Sequence, residues 1–144
     1  ALNPLTGFLL SQGSGGPAQV RRIIASTGST LDDEALGLYA RLIQRKSHVD
    51  GTLAMMAQWS LEALQRALPD ITVPTLFLHG DQDGAVPLRA AQRAAAAMPN
   101  AKLVSFPGIG HLAQEECPDQ VMAEIRAFLS DAAEQGTKKK RATA

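Results

Sequence analysis

The 144 residues suit one ordinary domain, since domains cluster near roughly 100–150 residues, and 45% hydrophobic with 19% charged residues is a globular rather than a disordered composition. No run of about 20 apolar residues is present, which excludes a transmembrane helix, and the single cysteine, Cys117, excludes an internal disulfide and fits a cytoplasmic location. The net charge of zero conceals a basic end, Lys138, Lys139, Lys140 and Arg141, on an otherwise acidic body without a basic, aromatic-laced patch, which argues against nucleic acid as a partner.

Residues 1–16 carry no periodic pattern. The opening stretch lacks a basic region ahead of a full apolar core, so it does not read as a signal peptide. It also lacks an initiator Met, as expected of a processed or partial chain. Ser11 to Gly16 reads as a flexible turn; a phosphate-binding loop would need a Gly-Lys-Ser/Thr ending after a strand.

Pro17 suits the first position of a short helix with Val20, Ile23 and Ile24 on one face, ended by Gly28. A second helix follows Thr30. Asp32, Asp33 and Glu34 suit the positive end of its dipole, and Arg41 and Arg45 the other end. Its apolar stripe is Leu36, Tyr39, Leu42 and Ile43. Ser47 and Asp50 make a capping-box-like start for a third helix, whose apolar positions are Val49, Leu53, Met56 and Trp59. His48, at that start, reads as solvated. A fourth helix carries Leu61, Leu64 and Leu68 until Pro69 and Asp70 break it. These four helices form either an independent bundle or a lid over the rest. Met55, Met56 and Trp59 could offer a soft apolar ligand surface, although this spacing also describes plain core.

After Asp70 the period changes. Thr75 to His79 is a short apolar run, as expected of a strand covered on both faces. Pro87 opens a helix rich in alanine that Pro99 and Asn100 stop, Lys102 to Phe106 is a second strand, and a last helix from Pro118 buries Val121, Ile125, Phe128 and Leu129. A β-α-β-α order is the grammar of a parallel sheet with helical crossovers. Two strands alone are a poor sheet, so the sheet half reads as incomplete.

Both strand ends carry chemistry. Asp81 and Asp83 follow the first strand, His111 follows the second, and one crossover helix plus one strand returns the chain from one to the other. Reactive groups in open α/β sheets gather at such carboxyl ends. An imidazole can take and return a proton near neutral pH, and a carboxylate on its other nitrogen fixes its tautomer. Gly108 and Gly110 would let the backbone around His111 take turns closed to other residues. The Gly80 to Gly84 stretch is not an EF-hand loop, since Ala85 and Val86 stand where a ligand and a glycine are needed. Taken alone, the two aspartates could be turn residues and His111 a loop histidine; their placement at successive strand ends favours chemistry.

The segment Val73 to Pro87, with Phe106 to Leu112, resembles the C-terminal part of the α/β-hydrolase fold. That resemblance implies an acid at Asp83, in Gly80-x-x-Asp83-x-x-Val86-Pro87, and a base at His111 after Gly110; on it, Asp81 is not the acid. Thr27 to Asp32, Leu38 to Leu42, His48 to Trp59 and His111 to Glu116 are similar to the magnesium-chelatase accessory branch of bacteriochlorophyll synthesis, with Ser60 and Gln114 departing from its pattern. The resemblance implies a helical cap over 1–70 and the C-terminal part of the hydrolase core over 71–134; the charge run reads by itself as a disordered basic tail over 135–144. It implies a small-molecule substrate or porphyrin intermediate against Met55, Met56 and Trp59, magnesium-chelatase subunits as partners, and no cofactor or metal.

No serine in the chain has glycine at both −2 and +2, as a nucleophile elbow requires. Ser14 comes nearest but follows no strand. Cys117 follows the histidine in the chain and is not expected to be the nucleophile. The expectation is therefore a fragment bearing the acid and base of a serine-type hydrolase. The alternatives are a general esterase unrelated to pigment synthesis, or a non-catalytic porphyrin-binding accessory.

Overall fold

The computed structural model describes the backbone of residues 16–142 and side chains through residue 134; the expectations for the first fifteen residues lie outside it. Among the described residues, helices α1 (Pro17–Ser26), α2 (Asp33–Ile43), α3 (Lys46–Ala57) and α4 (Leu61–Ala67) precede a 3₁₀ turn over Leu68–Asp70 that leads into strand β1 (Thr75–Gly80). Helix α5 (Leu88–Ala97) crosses to β2 (Ala101–Phe106), and α6 (Ala113–Glu116) and α7 (Pro118–Ala142) follow.

The two strands pair in parallel, with Thr75 opposite Ala101 and Gly80 opposite Phe106. Their carboxyl ends therefore lie side by side. Leu78, Val104 and Phe106 share one sheet face and pack with Ala113 of α6, Val121 and Ile125 of α7, and Cys117 between the two helices. The brief helix α6 was not anticipated. It holds only one turn, with the amides of Glu115 and Glu116 both donating to the carbonyl of Leu112.

A second core joins α1 and α2: Val20, Ile24, Leu36 and Ala40 are buried together, with Leu112 of the base loop packed against them. The helices are thus not an independent bundle. Asp32 caps α2 by accepting the Ala35 amide at 2.8 Å.

Several expectations need correction. In α2, Leu42 is exposed and Ala40 takes its place, because Ala40 falls four residues after Leu36 on the buried face. The capping box at Ser47 does not form: α3 begins earlier, at Lys46, without a side-chain cap, and Asp50 pairs with Lys46 instead. Leu129 on α7 is exposed, since only the first turns of that helix lie against the sheet. The backbone of α7 is helical as far as Ala142. No helix among the described residues is long and apolar enough to cross a membrane.

Candidate functional site

The acid loop leaves β1 at Gly80. Asp83 turns its side chain inward, where it is 5% exposed. Its Oδ1 accepts the amides of Ala85 and Val86, both at 2.8 Å, so the loop folds around its own carboxylate. Its Oδ2 lies 2.8 Å from Nδ1 of His111. Burial pushes the Asp83 carboxyl up, but the hydrogen bonds from His111, Val86 and Ala85 outweigh it and hold the group below the usual carboxylate range. The structure thus brings Asp83 and His111 together across the two strand ends.

Asp81 does something else. Its Oδ1 accepts the amide of Gly108 at 2.8 Å, joining the acid loop to the start of the base loop. Gly108 has φ +74°, the left-handed region that glycine tolerates. Gly110 needs its missing side chain for a different reason from the one expected: a Cβ there would lie 2.4 Å from backbone atoms of Gly28 and Ser29.

Residues 27–30, between α1 and α2, underlie both loops. The carbonyl of Thr27 accepts the amides of Gly84 at 3.0 Å and His111 at 3.2 Å. Ser29 Oγ accepts the amide of Leu112 at 2.9 Å. Glu116 accepts Gly110 N–H through Oε1 at 3.0 Å and Thr30 N–H through Oε2 at 3.1 Å. Tyr39 donates its hydroxyl to Glu115. Burial first, and then this carboxylate, push the Tyr39 phenol up to about 12.

His79 is a further residue at the site that the sequence reading passed over. Buried on β1, its Nε2 lies 3.0 Å from the carbonyl of Val86, to which it can donate, and 3.6 Å from Asp83 Oδ2. Among the described residues its Nδ1 is buried without a partner. Position gave one available signal, since His79 directly precedes the Gly80 of the acid loop. Ser29 and Glu116 offered no such cue, because the contacts Ser29–Leu112 and Glu116–Thr30 are made between distant segments.

His111, 40% exposed, lines a cavity of about 370 Å³. Its walls are mainly apolar: Ile23 and Ile24 of α1, Ile43 of α2, and Val49, Leu53 and Met56 of α3, with Trp59 just beyond α3. His48 also lines it, although exposed. Met55 does not belong to this wall and is half-exposed, because one residue of helix turns it about 100° away from Met56. A more open apolar concavity, about 470 Å³, is lined by Gln58, Trp59, Ser60, Leu61 and Leu64. It contains neither Asp83 nor His111, whereas His111 lines the smaller cavity. Cys117 is buried, donates to the carbonyl of Ala113, and has its thiol pushed up by burial and by Glu116. That is the opposite of an activated thiolate. Among the described residues no group of three His, Cys, Asp or Glu side chains is placed to hold a metal ion.

The family model for the alpha/beta hydrolase fold matches residues 22–118. The chain is 36% identical over 126 residues to the magnesium-chelatase 30 kDa subunit of Rhodobacter capsulatus, covering 88% of this chain and 44% of that protein. It is 33% identical over 85 residues to a bifunctional esterase/perhydrolase of Acinetobacter calcoaceticus, covering 58% and 29%. Among solved structures, an esterase from Exiguobacterium antarcticum superposes with a TM-score of 0.69 at 17% identity, covering 88% of this chain and 47% of that one. A serine hydrolase involved in carbazole degradation superposes at 0.66 with 19% identity, covering 81% and 48%. The chain spans less than half the length of each of these proteins.

Proposed function

Because the chain belongs to the α/β-hydrolase-fold family, we propose that Asp83 and His111 are the acid and base of a serine-type relay acting on an ester or similar acyl bond. The observation that carries this reading is the 2.8 Å contact between His111 Nδ1 and Asp83 Oδ2 at adjacent strand ends, beside an apolar cavity. With Nδ1–H donated to Asp83, the lone pair of Nε2 is free to act as base. It takes the proton of a serine hydroxyl as that oxygen adds to the acyl carbon. It then returns the proton to the leaving alcohol as the tetrahedral intermediate collapses. A water molecule repeats the two steps and releases the acid. Asp83 stays ionised throughout and stabilises the imidazolium.

The serine would come from sequence other than these 144 residues, since none here has the glycine spacing of a nucleophile elbow. In this reading the helices before residue 71 form a cap and residues 71–134 the C-terminal part of the core. Met56 and Trp59, with the isoleucines of α1, supply the apolar wall of the substrate site.

The similarity over most of this chain to a magnesium-chelatase subunit supports a narrower role. The whole protein would serve as an accessory to magnesium chelatase in bacteriochlorophyll synthesis, with a porphyrin intermediate against the cap and chelatase subunits as partners. A general esterase is the competing reading, supported by the esterase relatives. His111→Ala in the whole protein separates them. Ester turnover should fall by roughly 10³-fold or more if the relay is used. Unchanged ester turnover would refute the relay, and unchanged support of chelatase activity would mark a non-catalytic accessory.

A further inference from the structure

Three successive backbone amides around the base are each held, two from the distant α1–α2 loop and one from Glu116, six residues along the chain. Gly110 N–H goes to Glu116, His111 N–H to the carbonyl of Thr27, and Leu112 N–H to Ser29 Oγ. Of these three acceptors only Glu116 carries a charge, and it alone uses two oxygens on two different segments, Gly110 and Thr30. The single turn of α6 is what folds Glu116 back over the residue preceding the base.

We propose that Glu116 is a positioning residue for His111, setting the imidazole against Asp83 by pinning Gly110 to the α1–α2 loop through its two carboxylate oxygens. This rests on the reading of Asp83 and His111 as a relay. Gly110 is free of side-chain restraint, and its backbone packs directly on Gly28 and Ser29. Because Gly110 directly precedes the base, a small rotation there would carry the His111 ring away from Asp83. A carboxylate accepting two amides is a strong, directional restraint against that rotation. An error of about 1 Å at a catalytic group costs on the order of a hundredfold in rate. Glu115 reinforces the same junction by accepting the Tyr39 hydroxyl, so two consecutive acids tie the base loop to the helices.

The test uses all 144 residues, with Glu116→Ala and Glu116→Gln compared by ¹³C NMR titration of the Asp83 carboxyl. In the parent the His111 hydrogen bond helps to hold that carboxyl low. The alanine variant should move its midpoint up toward the ordinary carboxylate range. The glutamine variant retains an acceptor for Gly110 and should stay close to the parent. An Asp83 titration unchanged in the alanine variant, whatever its thermal stability, would overturn the proposal and leave Glu116 merely structural. If the alanine variant does not fold, Glu116→Asp has an arm too short for both amides and must show the same upward movement; an unchanged midpoint there is equally fatal. In the whole protein, Glu116→Ala should lower kcat roughly ten- to a hundredfold with little change in KM. Failure of the relay itself is read separately, from His111→Ala, and does not depend on Glu116.

Discussion

The backbone carbonyl of Thr27 accepts the backbone N–H of His111 at 3.2 Å, and the same oxygen accepts the N–H of Gly84 at 3.0 Å. One acceptor at the end of α1 thereby sets the spacing between the loop that carries the carboxylate and the loop that carries the imidazole. The helical region is not simply placed over the strand ends. It supplies part of the frame on which the Asp83–His111 contact is built.

That frame depends on close backbone approach. A Cβ at Gly110 would lie 2.4 Å from backbone atoms of Gly28 and Ser29, which cannot swing aside as a flexible side chain would. Gly110→Ala should cost about 1–3 kcal/mol of stability. Gly37→Ala, on α2 with open space around it, should instead gain about 0.5–1 kcal/mol. Urea unfolding of the two variants checks both signs; equal effects would refute the packing argument.

Tyr39 is the only tyrosine in the chain, so its phenol can be followed by ultraviolet absorbance. The midpoint should lie at about 12 in the parent and fall toward 10.0 in Glu115→Gln. A raised folded-state value means that the contribution to stability is complete below about pH 10 and is lost as pH rises through about 12. A parent midpoint near 10.0 would show that neither the burial of Tyr39 nor its bond to Glu115 persists in solution, and an unshifted Glu115→Gln midpoint would show that the bond contributes nothing.

Asp83 has the opposite sign. Its folded-state value lies below the ordinary carboxylate value of 3.8, so its contribution is complete above that range and is lost as pH falls through the lowered value. Stability measured from about pH 6 downward should therefore fall less steeply in Asp83→Asn than in the parent. Parallel curves would mean that Asp83 is not held ionised by its partners.

Asp81, only two residues away, should behave as a loop tie and not as a second acid. Asp81→Ala removes the acceptor of the Gly108 amide and should cost about 1–2 kcal/mol in stability. The Asp83 carboxyl titration should remain as in the parent. A large rise there would show that the two loops are held by Asp81 rather than by Thr27 and Glu116.

Cys117 should react with a thiol reagent only on unfolding, because it is buried and its thiol is pushed up by burial and by Glu116. Rapid stoichiometric labelling of the native chain would refute this.

Much of this molecule was legible along the chain. The apolar run Thr75 to His79, the alanine-rich crossover and the strand ending at Phe106 announce a parallel βαβ unit, and the structure pairs those strands in that sense. The meeting of Asp83 and His111 follows from the same topology, since parallel neighbours present their carboxyl ends together. Local pattern misjudged Leu42, Leu129 and the Ser47 cap, because periodicity marks a face but not how far the neighbouring element reaches along it. Met55 left the cavity wall for a related reason: adjacent helical residues point in different directions. The contacts of Thr27, Ser29, His79 and Glu116 were decided by tertiary structure alone. Those of Thr27 and Ser29, and that of Glu116 with Thr30, join segments distant in the chain, and no spacing or composition encodes which backbone amide will lie opposite a given oxygen. Residue order thus determined the kind of unit and the two side chains at its strand ends, whereas the geometry that holds them together exists only once α1, α2 and the two loops have packed.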